Sequence, residues 1–176
     1  MRYYVNIDVL KILYNSLIYP FFTYGVHIWG LTYPTYLNPL TALQKRLVWI
    51  MTFSEPQTYS EPLLKSLNLL QFCDIIHVEI ISFVYQWYLK LTPSCIADYF
   101  KQISSVHPYY TRQSNNEHLF VNQVKTSQHG LRSFCFSGAK LWNSLSLDVK
   151  QIPPFSRFRQ KIKNSMTDRY DKDTDD

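Results

Sequence analysis

Cleaving or joining phosphodiesters with two metal ions needs clustered carboxylates, because each divalent ion must be bridged and neutralised by acids a few ångströms apart. Outside its last ten residues this chain carries its acids singly, at Asp8, Glu55, Glu61, Asp74, Glu79, Asp98, Glu117 and Asp148. Asp148-Val149-Lys150 has the D-x-K half of a nuclease signature, with no Pro-Asp partner upstream. Cys73 and His77 stand at i, i+4, a spacing that puts two metal ligands on one helical face, but no second pair follows. The closing Asp171-Lys172-Asp173-Thr174-Asp175 lacks the glycine and the later glutamate of a calcium loop. Neither G-x-S-x-G nor a glycine-rich phosphate loop occurs. The three cysteines, Cys73, Cys95 and Cys135, are scattered, as reduced thiols of an intracellular protein would be. The expectation is a chain that is not an enzyme by itself, with no catalytic and no metal-binding residues.

What remains is cationic and aromatic. The formal charge of +5 hides an asymmetry: Thr167 to Asp176 hold five Asp against Arg169 and Lys172, so residues 1–166 carry 16 Lys and Arg against 8 acids. A basic body points to a polyanion bound through counterion release. Lys45 and Trp49 share the side of one predicted helix away from its apolar stripe, with Arg46 at its flank. A tryptophan among cations suits stacking on a base flanked by phosphate contacts, or else packing against another part of the protein. Arg157, Arg159, Lys161 and Lys163 line a second basic helix near the C-terminus.

The elements that would hold these residues are mostly helices. A first helix is expected from Asp8 to Tyr19, with Leu10, Leu13 and Leu17 as its apolar stripe and Pro20 as a stop or kink. A second should start with Asn38 as cap and Pro39 at the first position, burying Leu40, Leu43, Leu47, Ile50 and Met51. A short helix over Glu61–Leu67 leads to a long one over Phe72–Leu91, apolar nearly all round except for Glu79, Ser82, Gln86 and Lys90, and so central in a bundle. A further short helix is expected at Ser94–Ile103. Beyond it, Leu119–Lys125 and Leu131–Ser137 read as two strands joined through His129-Gly130, followed by helices at Ala139–Leu145 and, after Pro153-Pro154, at Phe155–Met166. The predicted domains are a helical one at 1–103, a small lobe with the hairpin and basic helix at 104–166, and a disordered acidic tail at 167–176. The apolar run Ile12–Leu31 is interrupted by Asn15, Ser16, Pro20, Thr23, Gly25 and His27, which argues against a membrane span, and Met1-Arg2-Tyr3-Tyr4 does not resemble a signal peptide.

Six ordered stretches carry a resemblance. They are Leu13-Tyr14-Asn15-Ser16-Leu17-Ile18-Tyr19-Pro20 with Thr23-Tyr24-Gly25 and Trp29-Gly30; Leu43-Gln44-Lys45-Arg46; Leu67-Asn68-Leu69-Leu70; His107 with Tyr110-Thr111-Arg112; Gly138-Ala139-Lys140-Leu141-Trp142-Asn143-Ser144-Leu145; and the basic run Phe158 to Lys163. Together they resemble the region after the catalytic palm in reverse transcriptases of non-LTR (LINE-type, jockey-like) retrotransposons. The resemblance departs at Trp49, where the family often has Arg, and at Ser146, where it often has Pro. It implies a mainly α fold: a thumb-like helical bundle followed by a small α+β lobe with a short β-hairpin. It implies part of an RNA-directed DNA polymerase that grips the template-primer duplex, RNA–DNA or RNA, beside a palm domain that this sequence lacks. The expected nucleic-acid contacts are Lys45, Arg46, Trp49, Arg112, Lys140, Lys161 and Lys163. No cofactor is expected in this chain, the intact family enzyme being expected to use Mg. The expected location is intracellular, nucleus or cytoplasm, without membrane attachment. The alternative is a protein-interaction or structural remnant that binds no nucleic acid.

Overall fold

The computed structural model describes residues 5–106, 117–126 and 129–170. It is mainly helical, and among the described residues there is no sheet; Gln102 and Leu119 form an isolated antiparallel bridge. The chain packs as two compact units. One takes in the described residues up to Ile76 together with those from Lys163 onward; the other takes in those between His77 and Ile162. The predicted boundary at residue 103 falls inside the second.

The first unit opens with α1 (Ile7–Leu13), a π-helical turn (Tyr14–Ile18) and α2 (Tyr19–Thr23), which run on as one helical stretch. Pro20 therefore does not stop the first helix. Its missing N–H falls just where five-residue bonding gives way to four-residue bonding, and this shift accommodates the lost bond. The predicted stripe is also displaced: Tyr14 and Phe22 are buried, while Leu13 and Leu17 are exposed. Gly25, at φ +61°, adopts the left-handed turn that starts α3 (Val26–Trp29). Gly30 follows so close to Ile76 that a Cβ there would lie 2.9 Å from the Ile76 Cγ2.

The next helix, α4 (Pro34–Thr52), begins earlier than Asn38, because Pro34 already supplies the preset φ of a first turn, and Pro39 lies inside it. Its buried residues are Gln44, Val48 and Met51, whereas Leu43 and Ile50 are about half exposed. Polar chemistry decides this rotation. The Gln44 Nε2 donates to the Tyr14 hydroxyl and to the Leu70 carbonyl, both at 2.8 Å, and its Oε1 accepts the Phe72 N–H at 2.7 Å. That last group is a helix-start donor with no partner inside its own helix. After α5 (Ser60–Ser66) comes α6 (Phe72–Tyr88), which starts on this Gln44 bond. Tyr170 completes the cap, accepting the Gln71 N–H at 2.9 Å and donating to the Asp74 carboxylate. Thr167 ends the last helix and Tyr170 is buried, so the expected disorder does not begin at 167; residues 171–176 lie outside the described residues.

In the second unit, α6 is buried along Val78, Ile80, Ile81, Val84 and Tyr85, and it ends at Tyr88 with Lys90 in the left-handed region and Leu91 N–H returning to the Gln86 carbonyl. Part of its predicted polar strip is inside: Ser82 is buried, and Glu79 is buried in an ion pair with Arg159. A 3-10 turn (Ser94–Tyr99) and α7 (Ile103–Val106) replace the helix expected over Ser94–Ile103. The predicted hairpin is not formed by the described residues. In place of a second strand, α8 (Phe134–Asn143) starts at Ser133, whose Oγ accepts the Phe136 N–H at 3.3 Å, and it buries Gly138, Ala139 and Trp142. The Phe134/Phe136 alternation suggested a strand, but the serine cap and the small residues on the packed face favour a helix. Nor does Leu119 need a partner strand. The Asn143 side chain takes both of its backbone groups, accepting the Leu119 N–H and donating to its carbonyl, each at 2.8 Å. The chain then forms α9 (Leu147–Lys150) and α10 (Phe155–Thr167), whose Phe158, Ile162 and Met166 are buried.

Replacing Gln44 with Ala strands the Tyr14 hydroxyl, the Leu70 carbonyl and the Phe72 N–H together, and should cost about 3 kcal/mol in urea unfolding followed by circular dichroism. A loss below about 1 kcal/mol would mean that water replaces the amide without penalty.

Candidate nucleic-acid interface

Two of the seven predicted contact residues line one groove. Arg46 and Trp49, one helical turn apart on α4, border a depression of about 340 Å³ with Ile50, Ser54 and Pro56. The far wall exists because α4 ends abruptly: Phe53 takes a left-handed conformation and the Ser54 N–H turns back to the Trp49 carbonyl. Trp49 is held in place as well, its Nε1–H donating at 2.9 Å to the Thr58 carbonyl in the loop beyond. The indole is half-buried and anchored, and Arg46 is the sole charged residue among those bordering the groove. An anchored aromatic beside a guanidinium can stack on a planar ligand while the cation meets an anion.

The other predicted contacts are distributed. Lys45, next to Arg46 in sequence, acts on Cys73. Although Cys73 is exposed, desolvation of its sulfur is the largest cause of a raised thiol pKa; the Asp74 charge adds to it and Lys45 opposes it. Lys163 lies in the same unit with its Nζ 5.7 Å from the centre of the Tyr19 ring. Lys140 and Lys161 are exposed in the second unit, on α8 and α10. Arg112, with His107, Tyr110 and Thr111, lies outside the described residues. Of the other cations on the last helix, Arg159 is held by Glu79 and Arg157 is exposed.

Among the described residues no group of three or more His, Cys, Asp or Glu could hold a metal ion. The Asp148-Val149-Lys150 element does not converge: Asp148 is exposed, and Lys150 is buried with its Nζ 5.5 Å from the Trp142 ring centre. Burial lowers the Lys150 pKa against the pull of Glu117. His118 is lowered too, by burial first and then by the Lys150 charge.

Sequence reasoning missed the residues that make these sites rigid. All four indole N–H groups bind backbone carbonyls: Trp29 at Tyr24, Trp49 at Thr58, Trp87 at Ala97 and Trp142 at Glu117, at 2.8–3.0 Å. The tryptophans were visible in the sequence, but the carbonyl that each one takes depends on the path of the loop. Among the described residues no helix is long and apolar enough to cross a membrane. No family model matches the chain, and no match was found among curated proteins or solved structures.

Buried phenols make the fold sensitive to alkali. Burial raises the pKa of Tyr14, Tyr85 and Tyr170 above 10.0, and burial together with the Glu117 carboxyl pushes Tyr88 up to about 12. The folded chain favours the protonated phenol, so this stability is complete below pH 10.0 and is lost as pH rises through the folded values. The helical signal should therefore collapse between pH 10 and about 12, and Tyr88→Phe should make the loss shallower. A Tyr88→Phe curve that overlays the wild type would remove Tyr88 from this account.

Proposed function

We propose that the chain is a nucleic-acid-gripping, thumb-like helical part of a non-LTR retrotransposon reverse transcriptase, without catalytic residues of its own. The observation that carries this reading is the groove in which Arg46 stands beside the anchored Trp49. Duplex gripping needs sequence-independent contacts, namely cations for phosphate oxygens and a flat apolar face for a sugar or an end base. Arg46 and Trp49 provide both within one turn of α4. Lys45, Lys140 and Lys161 add positive charge, and Lys163 contributes from its place over Tyr19. The basic balance of residues 1–166 supports the same partner. The template-primer duplex would then be positioned by this chain while the palm supplied the chemistry.

Binding of the full chain to a labelled RNA–DNA hybrid, titrated across salt, tests this. Affinity should fall steeply with salt for duplexes of any sequence. The Lys45→Ala, Arg46→Ala double variant should bind more weakly and lower the salt slope by about 2. Trp49→Phe, which keeps a ring, should bind more tightly than Trp49→Ala by roughly tenfold with the slope unchanged. Failure to bind at low salt would remove the proposal.

A further inference from the structure

The helical stretch from α1 to α2 has two faces with the same spacing. On one, Leu10 and Ile18 are half-buried while Tyr14 and Phe22 are buried; on the other, Val9, Leu13, Leu17 and Phe21 are all exposed. Both rows step by four residues. In an uninterrupted α-helix such a row drifts about 40° per step around the axis. The π-helical turn at Tyr14–Ile18 spends more residues per turn, and so turns the drift back midway along the row. Exposure continues past the Gly25 turn, with Phe21 at 79%, Tyr24 at 85% and Ile28 at 90%.

We propose that this row is the interface of a homodimer, each copy packing its α1–α3 face against the same face of the other. Two observations select a second copy. The first is charge: α1 carries one acid, Asp8, and one cation, Lys11, and from Ile12 to Gln44 there is no Lys, Arg, Asp or Glu, so the row has no net charge to attract a polyanion or a charged peptide. A face without net charge set against its own copy meets little like-charge repulsion, as a two-fold interface requires. The second is area. Val9, Leu13, Leu17, Phe21, Tyr24 and Ile28 together expose on the order of 700 Å², close to the 800 Å² per partner of a stable interface and above the usual largest patch of a monomer. Rows at i, i+4 are also the ridges that interdigitate in the commonest class of helix pair. A membrane surface fits less well, because helices lying in that interface carry several Lys and Arg on their polar face, and the stretch from α1 to α2 has Lys11 as its one cation.

Sedimentation of the full chain across a thousandfold concentration range tests this. The mass should rise from 21.0 kDa to twice that value, and added salt should not weaken the association. That response is opposite to nucleic-acid binding, so the two proposals fail separately. Phe21→Lys should weaken dimerisation at least tenfold with the circular dichroism spectrum retained; Ile28→Ser, at the most exposed position, is the second variant should the first not fold. A chain that stays monomeric at every concentration overturns the proposal. So does one that stays monomeric but pellets with neutral phosphatidylcholine vesicles, or a dimer that neither variant weakens.

Discussion

The Gln44 amide stands at the centre of the first unit, and three elements meet on it. Its two donors reach the Tyr14 hydroxyl on the opening helical stretch and the Leu70 carbonyl in the approach to α6, while its oxygen takes the first N–H of α6. An apolar residue there would leave all three partners without bonds in the core. A charged one would bring in an uncompensated ion. The amide alone offers donors and an acceptor on one neutral group, which accounts for a glutamine nearly inaccessible to solvent in the middle of a helix. The exposure of Leu43 and Ile50 follows from the same contact, since turning α4 to seat Gln44 carries them outward.

The helical character of the chain was legible in its patterning, and best where pattern and chemistry agree. Phe72 opens α6 as predicted, with apolar residues on nearly every side, and Phe155 opens α10 directly after Pro153-Pro154. The reading failed where polar side chains replace backbone. Apolar periodicity cannot register that Gln44 belongs inside, so the stripe assigned to α4 was rotated. Nor could it register that the Asn143 amide would serve Leu119 as a neighbouring strand does, so a hairpin was predicted where one asparagine suffices. Pro20 was read as a stop or kink because the π turn before it leaves no signal in composition.

For the candidate interface, types and spacing on one helix were informative and charge counting was not. Arg46 and Trp49 lie three positions apart on α4, and that spacing alone brings them to one groove. A tally of cations near the C-terminus treats Arg157, Arg159, Lys161 and Lys163 alike, but the fold separates them: Arg159 neutralises Glu79, Lys163 rests over Tyr19, and Arg157 and Lys161 face solvent. Lys150 goes further and is buried outright. The exposed positive surface is therefore smaller than the formal balance suggests.

The four indole clasps divide the chain into positions that can drift and positions that cannot. Each tryptophan reaches for a carbonyl, a group every residue possesses, so the identities of Tyr24, Thr58, Ala97 and Glu117 are irrelevant to the clasp itself. Phenylalanine could fill much of the space but brings no donor. Over time, then, the loops of this fold are at liberty to change their letters around four fixed points, and the record of the architecture is kept by its four tryptophans.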